Sequence, residues 1–128
     1  MSTADRPATR ITTHVLDATS GRPAEGVAVE LFARAPSAGD DHGSSPGRWR
    51  RLDAAATDAD GRISRIGPDA LPPGDYRLRF DTESYFGATG TESFYPEVVL
   101  TFRVADDGRH VHAPLLLSPF AYSTYRGS

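Results

Sequence analysis

Short runs in which apolar and polar residues alternate, each closed by turn residues, dominate this chain. Clear examples are Ile11–Asp17, Val27–Phe32 and Tyr76–Phe80. Alternation places every second side chain on one face, so each run predicts a strand with one buried face. About eight such runs follow one another at regular spacing, a pattern typical of an antiparallel β-sandwich. We therefore predict an all-β fold.

The remaining runs complete the predicted sandwich around one short helix. Further strands are predicted over Trp49–Ala56, Val98–Val104, His110–Leu117 and Phe120–Tyr125. The helix is predicted around residues 83–88, because Asp81 or Thr82 can cap its first turn. Asp106–Gly108 has the composition of a hairpin-type turn.

The length of 128 residues predicts one domain. We expect residues 1–10 to be a flexible segment and residues 11–128 to form the folded domain. Residues 35–47 are rich in glycine, serine, proline and aspartate, which predicts a mobile surface loop. The chain contains no apolar run that resembles a signal peptide or could span a bilayer, so we expect a cytoplasmic protein.

Composition excludes several kinds of site. The formal net charge is −3, which gives no reason to expect nucleic acid or an anionic membrane as a partner. The 14 basic residues are all arginine, so no lysine can form a Schiff base. Cysteine is absent from the sequence, which removes disulfides, thiol catalysis and thiolate metal sites.

Three histidines are candidates for chemistry. His14 shares a strand face with Thr12 and Leu16, opposite the core residue Val15. His110 and His112 are two residues apart, so their rings share a face, as in many metal sites. A metal would need a third ligand, and two polar residues on a solvated face explain the same pattern. The residues alone leave both interpretations open.

The segment Asp58–Gly61 has the beginning of a calcium-binding loop but not the rest of it. The closing glutamate and the flanking helices of an EF-hand are missing, so the pattern favours a turn stabilised by aspartate side chains. Arg62 follows at the start of a strand, and its guanidinium can hold a planar anion through two hydrogen bonds. A β-sandwich has no strand-to-helix turn on which a nucleophile elbow could be built, and the sequence contains no glycine-rich phosphate loop.

The last four residues of the sequence, Tyr125–Ser128, carry more functional groups than a chain end usually does. Terminal residues usually fray, since a few polar side chains cannot offset the entropy of being ordered. Here an aromatic ring, a guanidinium, a glycine and a hydroxyl follow one another, and we expect the terminal carboxylate to accompany them. This composition predicts one wall of a binding site.

Two segments of the chain resemble the signatures of the transthyretin-like family. The first is Ile11–Asp17 followed by Gly21–Ala24, and the second is Pro114–Pro119 followed by Tyr122–Ser128. The middle of the chain is similar as well, over Thr57–Arg62, Pro73–Arg77 and Tyr85–Glu97. The resemblance extends over nearly all of residues 11–128 and implies the transthyretin-like sandwich.

The resemblance also implies an activity. A terminal Tyr-Arg-Gly-Ser is typical of the 5-hydroxyisourate hydrolases of this family and is missing from its thyroid-hormone carriers. The implied reaction is the hydrolysis of 5-hydroxyisourate to 2-oxo-4-hydroxy-4-carboxy-5-ureidoimidazoline in urate breakdown, without a metal or a cofactor. The implied assembly is a homotetramer, a dimer of dimers, whose central channel holds sites lined by facing subunits.

The active-site positions of the family are occupied here by the expected residues. The catalytic positions correspond to His14, Arg62, His112 and Ser128, and the substrate-binding positions add Tyr125, Arg126 and Gly127. We expect the nearby charges of Arg62 and Arg126 to help keep one histidine neutral by repulsion. Val111 departs from the family, which usually has an aromatic residue there. The role of His110 is left open.

Two other functions compete with this hypothesis. A non-catalytic carrier of the same fold would hold an apolar small molecule in the channel, although histidines and arginines are costly to bury in such a pocket. A metal protein would use the clustered histidines as ligands.

Overall fold

Two β-sheets form the framework of the computed structural model, which describes residues 9–35 and 48–128. The strands are β1 Ile11–Asp17, β2 Arg22–Pro23, β3 Ala28–Ala35, β4 Arg48–Ala56, β5 Arg62–Ile66, β6 Gly74–Phe80, β7 Val98–Val104, β8 Val111–Ser118 and β9 Ala121–Thr124. The helix α1 spans Thr82–Gly87. The predicted sandwich with one short helix is confirmed for these residues, and β2 is an additional two-residue strand.

The order of the strands brings distant parts of the chain together. One sheet has the order β4-β3-β6-β7, and the other has the order β2-β1-β8-β9, with β5 also paired to β1. The pairs are antiparallel except β1–β8, which is parallel over Ile11–Asp17 and Val111–Leu117. The long connection between β1 and β8 allows this direction, which a short hairpin would forbid.

The prediction of a hairpin-type turn at Asp106–Gly108 is wrong. The strands on either side of it, β7 and β8, belong to different sheets, so this segment crosses from one layer to the other. Its composition reports a local reversal of the chain and does not determine which sheet the next strand joins. After this crossing β8 pairs with β1, and the candidate site lies along this pair of strands.

The buried face of each strand supplies the core between the sheets. Side chains that are fully buried include Val15, Leu31, Leu78, Phe80 and Leu115. Buried and half-buried residues alternate along β1, so Val15 is buried in the core and His14 is half-buried on the other face. The prediction that His14 points away from the core is confirmed.

The helix is tied to the end of β1. Asp81 caps α1, as expected, because its side chain accepts a hydrogen bond from Ser84 N at 3.2 Å. Tyr85 donates its hydroxyl to Asp17 Oδ2 at 2.8 Å. Burial, together with this hydrogen bond and the charge of Asp17, raises the pKa of Tyr85 to about 12. The phenol therefore stays protonated and keeps donating.

The turn before β5 sets the position of Arg62. Asp58 Oδ1 accepts hydrogen bonds from Asp60 N and Arg62 N, both at 2.9 Å, so the predicted aspartate-stabilised turn is present. Gly61 has a φ of +74° and its carbonyl accepts from Val15 N at 2.7 Å. Since only glycine adopts this φ readily, Gly61 lets the turn approach β1 closely.

Two predicted flexible segments lie mainly outside the described residues. Residues 1–8 and 36–47 are not described, so the expectations for segment 1–10 and for loop 35–47 stay predictions. Thr9 is buried, and the carbonyl of Arg10 accepts from Val111 N at 2.9 Å. Within the described ranges, the structure has no helix with the length and hydropathy that crossing a membrane requires.

Replacing Gly61 should destabilise the fold more than replacing a matched glycine. In Gly61→Ala the new methyl group would overlap the carbonyl oxygen of Val15, in addition to the strain of a positive φ. Gly90 has a similar φ of +69° but open space around it, so Gly90→Ala reports the strain alone. We expect Gly61→Ala to lower the free energy of unfolding by about 1–3 kcal/mol more than Gly90→Ala, measured by chemical denaturation. Equal losses would contradict the close approach.

Candidate active site

A cleft of about 280 Å³ lies where β1, β5 and the start of β8 meet the last residue. The lining residues are Thr12, Thr13, Arg62, Ile63, Ser64, His110, His112 and Ser128. Three predicted site residues, Arg62, His112 and Ser128, therefore share one cleft although they are far apart in the sequence. The other predicted residues lie around it.

Strand pairing explains how the cleft is assembled. β1 lies between β5 and β8, and its residues pair directly with both neighbours. His14 is opposite Arg62 on β5, and Thr12 is opposite His112 on β8. Directly paired residues project from the same face of a sheet, and Thr12 and His14 share a face of β1. All four side chains therefore belong to one face.

The surroundings of His112 favour the neutral form of its imidazole. Burial lowers the pKa of its imidazole, and the charges of His110, Arg62 and His14 lower it further, whereas hydrogen bonding to Thr12 opposes the change. Arg126, which we expected to act in the same direction as Arg62, is not among the groups that lower this pKa. A half-buried neutral imidazole is suited to accept a proton near neutral pH.

His14 lies near His112, on the adjacent strand β1. It does not line the 280 Å³ cleft, yet it is close enough to His112 for its charge to affect that pKa. Its place opposite Arg62 puts the two side chains side by side. The structure thus gives His14 a position at the margin of the cleft.

The terminal residues wrap around His112. Gly127 N donates to the carbonyl of His112 at 2.8 Å, which extends β8 pairing by one isolated bridge. A methyl group built on Gly127 would lie 2.5 Å from His112 Cδ2, so the glycine packs directly against the imidazole. Tyr125 and Arg126 line a second cleft of about 510 Å³, which shares His112 with the first.

His110 lies just before β8 and is exposed. Its ring centroid is 6.4 Å from that of His112, and both rings contact the hydroxyl of Thr12. The residue alternation on β1 could have drawn attention to Thr12, which shares a face with His14, but we assigned it no role from the sequence. Among the described residues, no group of three or more histidine, cysteine, aspartate or glutamate side chains could hold a metal ion.

Comparison with known proteins identifies the family. A family model described as HIUase/Transthyretin matches residues 11–127. The chain belongs to the HIUase/transthyretin family. This confirms the family that the sequence motifs predicted.

The chain is similar both to proteins named 5-hydroxyisourate hydrolase and to a protein named transthyretin. The 5-hydroxyisourate hydrolase of Mus musculus is 42% identical over 120 residues, which cover 92% of this chain and 94% of the mouse protein. The structure of Klebsiella pneumoniae 5-hydroxyisourate hydrolase has a TM-score of 0.77 at 35% identity, covering 94% of this chain and all of that one. Transthyretin from Sparus aurata has a TM-score of 0.79 at 31% identity, covering 92% and 96%. The backbone therefore resembles both kinds of protein equally well.

Gly127→Ala should displace the imidazole of His112 without unfolding this member of the HIUase/transthyretin family. The added methyl group has no room beside the ring. We expect the ring resonances of His112 to shift in NMR spectra while the thermal unfolding midpoint changes little. Gly87→Ala, whose methyl group would meet no atom within 4 Å, is the control and should leave those resonances unchanged. Unaltered resonances in Gly127→Ala would contradict the packing of the terminus on His112.

Proposed function

We propose that this chain is a 5-hydroxyisourate hydrolase of urate breakdown. It opens the ring of 5-hydroxyisourate by hydrolysis and gives 2-oxo-4-hydroxy-4-carboxy-5-ureidoimidazoline. The observation that carries the proposal is the meeting of a neutral His112 with Arg62 and Ser128 at one cleft. The hydrolases of the mouse and of Klebsiella pneumoniae, which are similar over more than nine-tenths of the chain, support it.

Hydrolysis needs a group that removes a proton from water and later protonates the departing ring nitrogen. His112 suits this role because burial and the neighbouring charges keep its imidazole neutral, and only the neutral ring has a lone pair for the proton. His14 is in place to hold the water or to assist the transfer. We propose His112 and His14 as the acid–base pair of the reaction.

The attack of water places negative charge on the carbonyl oxygen of the substrate. Arg62 lines the cleft and Arg126 lines the adjoining one, so their guanidinium groups can hold the oxygens of the planar ring on either side of His112. Each such contact contributes on the order of 3 kcal/mol to lowering the barrier. Ser128 offers a hydroxyl to the water, and Tyr125 offers a ring on which the substrate can stack. Gly127 provides the room that the imidazole needs.

A carrier function has weaker support. The Sparus aurata transthyretin has the same backbone, so the fold alone does not separate a carrier from an enzyme. The side chains do separate them. An apolar ligand bound over Arg62 and the histidines would remove water from these polar groups without giving them partners, which is costly.

We propose that the chain assembles as a homotetramer, a dimer of dimers. The edge strands β7 and β9 each leave one side without a partner strand among the described residues. Exposed aromatic side chains lie near these edges, with exposed fractions of 68% for Phe94, 61% for Phe120 and 61% for Tyr125. Open edges and apolar patches favour pairing with a second copy of the chain. Sedimentation equilibrium, which measures the mass of the assembly in solution, tests the tetramer.

We propose residues 11–128 as the hydrolase domain and a cytoplasmic location, since a chain without cysteine needs no oxidising compartment for disulfides. The reaction uses the small-molecule substrate and water, with no metal or cofactor. Following the decay of 5-hydroxyisourate with and without a chelator tests whether the reaction needs a metal.

The proposed activity is tested with substrate made in place by urate oxidase. The decay of 5-hydroxyisourate is followed with and without the protein, and only acceleration beyond spontaneous decay counts as activity. His112→Ala should lower kcat by about 100-fold or more, because a general base contributes this much. Circular dichroism checks that the variant is folded. A wild-type protein that leaves the decay unchanged would refute the hydrolase, and a fully active His112→Ala would remove His112 from the chemistry.

Removing the charge of Arg62 should raise the pKa of His112. Arg62 disfavours the protonated ring, so Arg62→Met relieves a repulsion and the imidazole then binds its proton at higher pH. NMR titration of the free protein should show a wild-type pKa below the ordinary value of 6.5 and a higher one in Arg62→Met. Arg65→Met is the matched control on the same strand, since Arg65 pairs with Asp69 and is not among the groups that affect His112. The electrostatic account fails if both variants titrate like the wild type.

A further inference from the structure

The hydroxyl of Thr12 lies between two imidazoles. Its Oγ1 atom is 2.8 Å from His110 Nε2 and 2.7 Å from His112 Nδ1. A hydroxyl has one hydrogen, so Thr12 can donate to at most one of the two rings and accepts a hydrogen bond from at least one of them. The position of the hydrogen on His110 and that on His112 are therefore linked through Thr12.

One direction of this chain of hydrogen bonds suits a base at His112. If His112 Nδ1–H donates to Thr12 and Thr12 donates to His110 Nε2, the lone pair of His112 is on Nε2. The Nδ1 atom is engaged with the strand β1, so Nε2 is the nitrogen left for a water molecule. The opposite direction would place a hydrogen on Nε2 and leave His112 without a free lone pair.

Charge is better accommodated on His110 than on His112. His112 is half-buried, and it faces His14 from β1, Arg62 from β5 and Ser128 from the terminus. His110 is exposed, so water can solvate a positive charge on its ring. A proton taken up at His112 is therefore more stable if the charge moves across Thr12 to the exposed ring.

We propose that Thr12 is a positioning residue that links His112 to His110 in a proton relay. The proposal rests on the hydrolase function proposed above. Water loses a proton to His112 Nε2 while its oxygen bonds to the carbonyl carbon. The Nδ1 proton of His112 passes to Thr12 Oγ1, and the hydroxyl proton of Thr12 passes to His110 Nε2. The relay then reverses, and His112 Nε2 delivers its proton to the departing ring nitrogen, so no proton is gained or lost.

The test compares a variant without the hydroxyl with one that keeps it. Thr12→Val preserves the shape and the strand preference of the side chain but cannot transfer a proton, whereas Thr12→Ser can. We expect Thr12→Val to lower kcat by about 10-fold to 100-fold with KM little changed, and Thr12→Ser to restore most of the rate. His110→Phe, which keeps a ring without nitrogen, should lower kcat in the same way.

Coupling between the two positions separates a relay from a purely structural role. Because both residues serve one proton path, the double variant Thr12→Val/His110→Phe should lose no more than the worse single variant. Losses that multiply, or a Thr12→Val enzyme with wild-type kcat, would overturn the relay.

A second measurement does not depend on turnover. Nitrogen NMR of the wild-type protein should place the hydrogen of neutral His112 on Nδ1, and Thr12→Val should weaken this preference. A hydrogen on Nε2 in the wild type would refute the proposed direction. If the wild type fails to accelerate substrate decay, the hydrolase function fails, and the NMR result still decides the arrangement of the three groups.

Discussion

The parallel pairing of β1 with β8 is the constraint on which the site depends. It places Thr12 beside His112, although a hundred residues separate them in the chain. The same strand carries His14 opposite Arg62 through its pairing with β5. A slip of β8 by one residue would turn His112 into the core and Val111 outward, because side chains alternate along a strand. The buried apolar face therefore holds the polar face in register.

The electrostatics of the cleft follow from this arrangement. Burial makes the protonated form of His112 unfavourable, and the charges of His110, Arg62 and His14 on the same side of the sheet add to this effect. The neutral imidazole is thus a consequence of its neighbours rather than of His112 itself. The terminus adds a second constraint, since Gly127 packs on the ring and bonds to its backbone. Ser128 lines the cleft beside His112, so the last residues contribute to the wall of the candidate site.

The comparison structures separate the contribution of the backbone from that of the side chains. A hydrolase and a transthyretin match this backbone with TM-scores of 0.77 and 0.79, so the sandwich by itself does not select a function. The selection lies in which side chains the sheet presents at the cleft. His112, Arg62 and Ser128 suit the chemistry of a polar ring and would be costly beside an apolar ligand.

The sequence by itself determined the local features of this protein. Alternation predicted β1, β3, β6 and β7 and the outward orientation of His14. Successive side chains of a strand point to opposite faces, so a few neighbouring residues are enough to show this pattern. Family motifs identified the candidate site residues. The tertiary structure alone decided that β1 and β8 are parallel, that Asp106–Gly108 crosses between sheets, and that Thr12 bridges two histidines. These features depend on contacts between distant segments, whose pairing is selected by the packing of the whole core and leaves no signal in any one stretch of the chain.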